Sequence, residues 1–193
     1  MPAILYSFRR CPYAMRARMA LHYAGCAVQS HEVSLKAKPP AMLERSPKGT
    51  VPVLVLDDQV LEQSLDIMHW ALAQNDPDNW LLIRDGDGRR EIQALVEEND
   101  QVFKQHLDHY KYFVRYPEYP QEHYRQQAEV FLQKLETRLQ QRDFLITDRA
   151  TLADIALAPF IRQFGAVDPD WFAISPYPKL RGWLQRFVES ALF

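Results

Sequence analysis

The sequence predicts an α/β layer over residues 1–75 and an all-helical part over residues 89–193, with residues 76–88 as the linker between them. Three observations predict this division. Short apolar runs of strand length alternate with helical patterns as far as Ala73. The stretch from Asn75 to Gly88 is polar and rich in turn residues (NDPDNW, then RDGDG). Beyond it the apolar period is helical almost throughout.

The elements follow in order. Residues 3–8 (AILYSF) form an apolar and aromatic run of strand length. Pro12 to Tyr23 carries Ala14, Met15, Ala17, Met19, Ala20 and Leu21 with two interposed arginines, a helix pattern, and Gly25 suits its C-terminal cap. Val28 to Leu35 alternates and reads as a second strand. Lys36 to Lys48 reads as loop and short helix, with Pro39-Pro40 at a turn. Val51 to Leu56 and Gln59 to Leu61 form a hairpin about Asp57-Asp58, and Leu65 to Ala73 is helical again. In the second part, Arg89 to Val114 and Gln121 to Gln141 read as long helices. Thr151 to Phe164 and Pro178 to Glu189 read as shorter ones. Thr151 and Asp154 have the spacing of a capping box, a feature of helix initiation rather than chemistry.

Composition sets the function classes. The 193 residues are 47% hydrophobic and 25% charged, ordinary for a globular protein that buries a core. A formal net charge of -2 gives no pull toward nucleic acid or an acidic membrane. Residues 1–75 carry eight Lys/Arg against six Asp/Glu, and residues 76–193 fifteen against nineteen, so the first part better suits an anionic ligand. No apolar run reaches the roughly 18–20 residues that span a bilayer. The start MPAILYSFRRCP lacks the pattern of a secretory leader, and the expected location is cytoplasmic. Cys11 and Cys26 are then expected as free thiols.

Arg10-Cys11-Pro12-Tyr13-Ala14 is the most informative stretch. Cys11 follows a strand and precedes a proline, which is favoured in the first turn of a helix. At such a helix start, unpaired N–H groups and the helix dipole favour a thiolate, the form that attacks disulfides. Arg9, Arg10, Arg16 and Arg18 add positive charge nearby in sequence. Ala14 stands where a resolving thiol would be, so an external thiol has to release any mixed disulfide. Cys26, after Gly25 at a helix-to-strand turn, reads as structural.

Cys11-Pro-Tyr-Ala-Met-Arg16-Ala-Arg18, Lys38-Pro39, Ser46-Pro47-Lys-Gly49-Thr-Val51-Pro52-Val53-Leu54 and Glu62-Gln63-Ser64 stand in the order of the cytosolic glutathione transferases. The chain resembles that family, most nearly its cysteine-type members, the omega class and glutaredoxin-like bacterial relatives. The resemblance implies a thioredoxin-like α/β first domain that binds glutathione and a helical second domain. It implies Cys11 as the catalytic thiol and a cis bond before Pro52 that exposes the Val51 backbone to the cysteinyl part of glutathione. It also implies Gln63 and Ser64 at the γ-glutamyl carboxylate and Lys38 at the glycyl end. Many members have Glu where Gln63 stands, which leaves the partner of the γ-glutamyl ammonium open.

The expected activity is glutathione-dependent thiol transfer or reduction, with glutathione as cosubstrate and no metal. A small electrophilic or disulfide second substrate is expected, in a homodimer without nucleic-acid or membrane partners. Conjugation using the hydroxyl of Tyr6 or Ser7 is an alternative, as is a non-enzymatic binding protein on the same scaffold. Tyr110 and Phe113, within an aromatic-rich stretch ending near Tyr119, line a cosubstrate pocket in one reading and pack between helices in the other. His106 and His109 have no third ligand for a metal, and Asp85-Gly-Asp-Gly88 lacks the spacing of a calcium loop.

Overall fold

A computed structural model describes residues 3–193 and divides the chain into two compact units, the first running through Trp80 and the second from Leu81 to Ala191. The first unit holds β1 (Ala3–Ser7), α1 (Pro12–Tyr23), β2 (Val28–Glu32), α2 (Pro40–Arg45), β3 (Val53–Val55), β4 (Val60–Leu61) and α3 (Ser64–Gln74). The β-α-β-α-β-β-α order is the expected one.

The four strands form one mixed sheet in the order β2-β1-β3-β4, parallel between β1 and β2 and antiparallel elsewhere. Register places Ile4 opposite Val55, Leu5 opposite Leu54 and Tyr6 opposite Val53. Because side chains alternate along a strand, Tyr6 and Val53 meet Val33 and Met42 on one face, with Ile4, Val55 and Val60 packed around them. Leu5 and Leu54, both buried, lie on the other face. Helices α1 and α3 pack on each other, burying Ala14, Ala17, Leu21, Ile67, Met68 and Ala71. Burying each large aliphatic side chain contributes about 1.5–3 kcal/mol, so these two layers account for most of the unit's cohesion.

Helix α1 ends as Gly25 predicts. Its φ is +69°, its N–H donates to His22 O, and the Cys26 N–H donates to Leu21 O, a Schellman closure. Strand β2 is shorter than the alternating run to Leu35, stopping at Glu32 and leaving Gln29 to Glu32 exposed. It borders only β1, so just one of its edges is hydrogen-bonded. Residues 76–80, inside the predicted linker, fold back on α1. The Trp80 ring stacks on Tyr23 at 3.5 Å, and the Tyr23 hydroxyl accepts from the Asp78 N–H at 2.8 Å.

The second unit is built from α4 (Gly86–Glu98), α5 (Lys104–Lys111), α6 (Gln121–Leu139), α7 (Leu152–Gly165), α8 (Pro169–Ile174) and α9 (Pro178–Val188). Helix α4 starts earlier than Arg89 because the Asp85 side chain caps it, accepting from the Gly88 N–H at 2.9 Å. The single long helix expected over Arg89–Val114 is interrupted by a π turn at Asn99–Phe103, and α5 closes at Lys111. Helix α8 is additional to the expected set, with Asp168 capping it and Pro169 in its first turn. Phe103 anchors the core, its ring 5.0 Å from Phe131 and 5.9 Å from Phe164.

Two buried carboxylates satisfy helix starts. Asp154 forms the capping box with Thr151, and it also accepts from the Leu145 N–H at 2.9 Å and from Trp183 Nε1 at 3.0 Å. Glu136 on α6 accepts from the N–H groups of Lys179 (3.2 Å) and Leu180 (2.8 Å), the otherwise unpaired donors of α9.

Candidate functional site

Cys11 is the N-cap residue of α1, with extended backbone (φ -79°, ψ 120°) and Pro12 directly after it. Its half-buried sulfur points at the Val51 carbonyl oxygen, 3.8 Å away. The Val51–Pro52 bond is cis, and Val53 immediately enters β3. The thiol therefore stands beside the non-strand backbone that leads into β3 at the sheet's end.

The segment leading into Cys11 is clamped from α1. Arg18 donates to Ser7 Oγ (2.6 Å), Phe8 O (3.3 Å) and Arg9 O (3.1 Å). The Arg9 N–H in turn donates to Glu32 Oε1 at 2.8 Å. Burial draws the Arg18 guanidinium below the ordinary arginine value, and the opposing charges of Glu32 and an ionised Cys11 offset part of that. The approach to Cys11 is thus held by a half-buried guanidinium. Cys26 differs: burial pushes its thiol up.

The other expected residues gather near the same end of the sheet. Lys38 is exposed, and its Nζ lies over the Gly49 turn, where an added Cβ would stand 3.3 Å from it. Gly49 has φ +65°, so the turn two residues before Val51 suits glycine. Ser64 is the first residue of α3, and Gln63 is its exposed N-cap without a side-chain cap bond. Glu62 accepts a hydrogen bond from the Ser46 hydroxyl. Arg16, 1% exposed, donates from Nε to Ser64 Oγ at 3.0 Å and stacks its guanidinium over the Tyr13 ring.

Tyr6 and Ser7 are both buried. The Tyr6 ring sits in the sheet-face cluster, and Ser7 Oγ is taken up by Arg18. Tyr110 and Phe113 belong to the helical unit. Tyr110 is 2% exposed with its ring 5.1 Å from Phe164, and burial pushes its hydroxyl up; Phe113 is half-buried in a 3-10 turn. Sequence reasoning treated the arginines as diffuse positive charge. It missed the Arg16 and Arg18 bonds and the part of Glu32, because each joins positions far apart in the chain. Among the described residues no group of three or more His, Cys, Asp or Glu could hold a metal, and no helix is long and apolar enough to cross a membrane.

Two family models match the chain, the N-terminal domain of glutathione S-transferase over residues 5–80 and its C-terminal domain over residues 93–186. A maleylacetoacetate isomerase of Rhizobium meliloti is 38% identical over 95 residues, 48% of this chain and 44% of that protein. The glutathione S-transferase omega-1 of Sus scrofa is 40% identical over 50 residues, 26% of this chain and 21% of that one. The chain thus spans under half the length of these curated relatives. Among solved structures, a glutathione transferase family member from Pseudomonas fluorescens pf-5, with two glutathione bound, is 24% identical with a TM-score of 0.82, covering 98% of this chain and 89% of that chain. That likeness is one of fold.

Proposed function

Because this chain belongs to the glutathione transferase family, we propose that it catalyses glutathione-dependent thiol transfer through Cys11. The observation that carries the reading is the 3.8 Å approach of the Cys11 sulfur to the Val51 carbonyl at the start of α1. Glutathione would pair its cysteinyl backbone with Val51, beside cis Pro52. Its glycyl carboxylate would reach Lys38, and its γ-glutamyl carboxylate would reach Gln63 and Ser64 at the start of α3. The Tyr6 and Ser7 hydroxyls are buried, which favours the sulfur over either hydroxyl as the reacting group.

In the reaction the Cys11 thiolate attacks the glutathionyl sulfur of a mixed disulfide between glutathione and a small substrate. The substrate leaves as its thiolate and takes up a proton, and a Cys11–glutathione disulfide forms. The thiolate of a second glutathione attacks that bond, releasing glutathione disulfide and regenerating Cys11. The net process converts the mixed disulfide and one free glutathione into the substrate thiol and glutathione disulfide, so the incoming glutathione is oxidised as the substrate sulfur is reduced. The protein would act as a cytoplasmic homodimer on a small disulfide or electrophilic substrate.

The test is Cys11→Ala assayed with a glutathionylated small thiol. Loss of turnover with glutathione binding retained supports the reading. Unchanged turnover removes Cys11 from the mechanism and returns the choice to a hydroxyl.

A further inference from the structure

We propose that Arg16 is a positioning residue that fixes the Ser64 hydroxyl as a hydrogen-bond donor toward a carboxylate held at the start of α3. This rests on the glutathione reading above and extends it to a side chain that the ligand itself does not have to touch.

A serine hydroxyl carries one proton and two lone pairs, whereas a guanidinium donates only. Arg16 Nε donates to Ser64 Oγ at 3.0 Å, so one lone pair is occupied and the proton cannot go to Arg16. The bond the structure gives to Ser64 Oγ is one it accepts, which leaves the hydroxyl proton to be donated to an acceptor. A cation bound at the oxygen also polarises that O–H, making it a stronger donor to an anion.

Position supports the same conclusion. Ser64 opens an 11-residue helix that no side chain caps, so the unpaired first-turn N–H groups of α3 stand beside its hydroxyl. Asp66, in that first turn, is exposed. Arg16 is 1% exposed and is held over the Tyr13 ring at 5.0 Å. A guanidinium is costly to bury and is kept where it makes directed bonds. Arg16 lies on α1, five positions after Cys11. One helix therefore presents the reacting sulfur at its start and orients the anion-binding serine from its first turns.

The experiment compares two peptides by calorimetry: glutathione, and γ-aminobutyryl-cysteinylglycine, the same molecule without the γ-glutamyl carboxylate. The wild-type protein is expected to prefer glutathione by about tenfold or more, the scale of one charge-assisted hydrogen bond. Arg16→Ala should bring the two peptides to within about threefold of each other, chiefly by weakening glutathione. Arg16→Ala should add little when Ser64 is already alanine. Thermal melting shows that each variant is folded; should Arg16→Ala fail to fold, Arg16→Met fills the stem's volume without the donor and is read in the same way.

Equal weakening of both peptides overturns the proposal and leaves Arg16 as packing. So does a full wild-type preference for glutathione in the folded variant. If the wild-type protein binds neither peptide, the glutathione reading falls, and the proposal falls with it.

Discussion

Trp183 Nε1 donates to Asp154 Oδ1 at 3.0 Å, which ties the middle of α9 to the first turn of α7. The same carboxylate serves the Leu145 N–H and both polar groups of Thr151. Asp154 is fully buried, and although burial pushes its carboxyl up, each of these donors favours the ionised form. Asp154→Ala strands two buried donors and removes the capping box. It should cost at least about 3 kcal/mol in chemical denaturation, with Asp154→Asn milder because one acceptor survives.

The two thiols should separate under alkylation. Iodoacetamide at neutral pH is expected to modify Cys11 at least about tenfold faster than Cys26, because burial pushes the Cys26 thiol up and lowers its thiolate fraction. Mass spectrometry of peptides sampled over time reads the two rates. Equal rates would contradict the environments described.

Arg18 joins three acceptors in the chain just before Cys11. Arg18→Ala should lower kcat for thiol transfer by about tenfold while KM for glutathione stays within about twofold, because loosening the loop misplaces the sulfur and not the tripeptide. Arg18→Lys should not restore kcat, since a single ammonium cannot span these acceptors. A rise in KM with kcat unchanged would contradict the clamp.

Gly49 has φ +65° and lies under Lys38 and Leu43. Gly49→Ala should destabilise the protein by about 1 kcal/mol through backbone strain alone. It should also weaken glutathione by displacing Lys38 Nζ. Calorimetry with glutathione and thermal melting test the two effects separately.

His106 supplies a pH dependence. Burial, reinforced by the neighbouring His109, lowers its value in the folded protein. The unfolded chain then takes up the proton first as pH falls. The stability associated with neutral His106 is present above the unfolded value of about 6.5 and declines as pH falls through it. Melting temperatures from pH 7.5 down to 5 should fall less steeply for His106→Gln than for the wild-type protein. Parallel curves would rule out this contribution.

The first unit was legible almost element by element, since each of its strands and helices is written in local signals. Pro12 marks the start of α1, Gly25 its end, and Asp57-Asp58 the hairpin. Cys11 at a helix start followed from the same logic. What escaped is long-range. Nothing local in MRARM shows that Arg16 turns inward to Ser64, 48 positions away, while Arg18 turns back on Ser7. The π turn at Asn99–Phe103 is invisible to periodicity because the residues on both sides remain helical. Helix α8 is only six residues, too short to show a period.

The sheet's two rims differ from its middle. One is β2, whose Gln29 to Glu32 are exposed and polar, and the other is β4, two residues long. A strand from another molecule would find polar side chains ending in the Glu32 carboxylate along the first rim and almost no length on the second. Neither is a good template for fibril growth, so the domain guards against amyloid-like stacking with the residues at its margins.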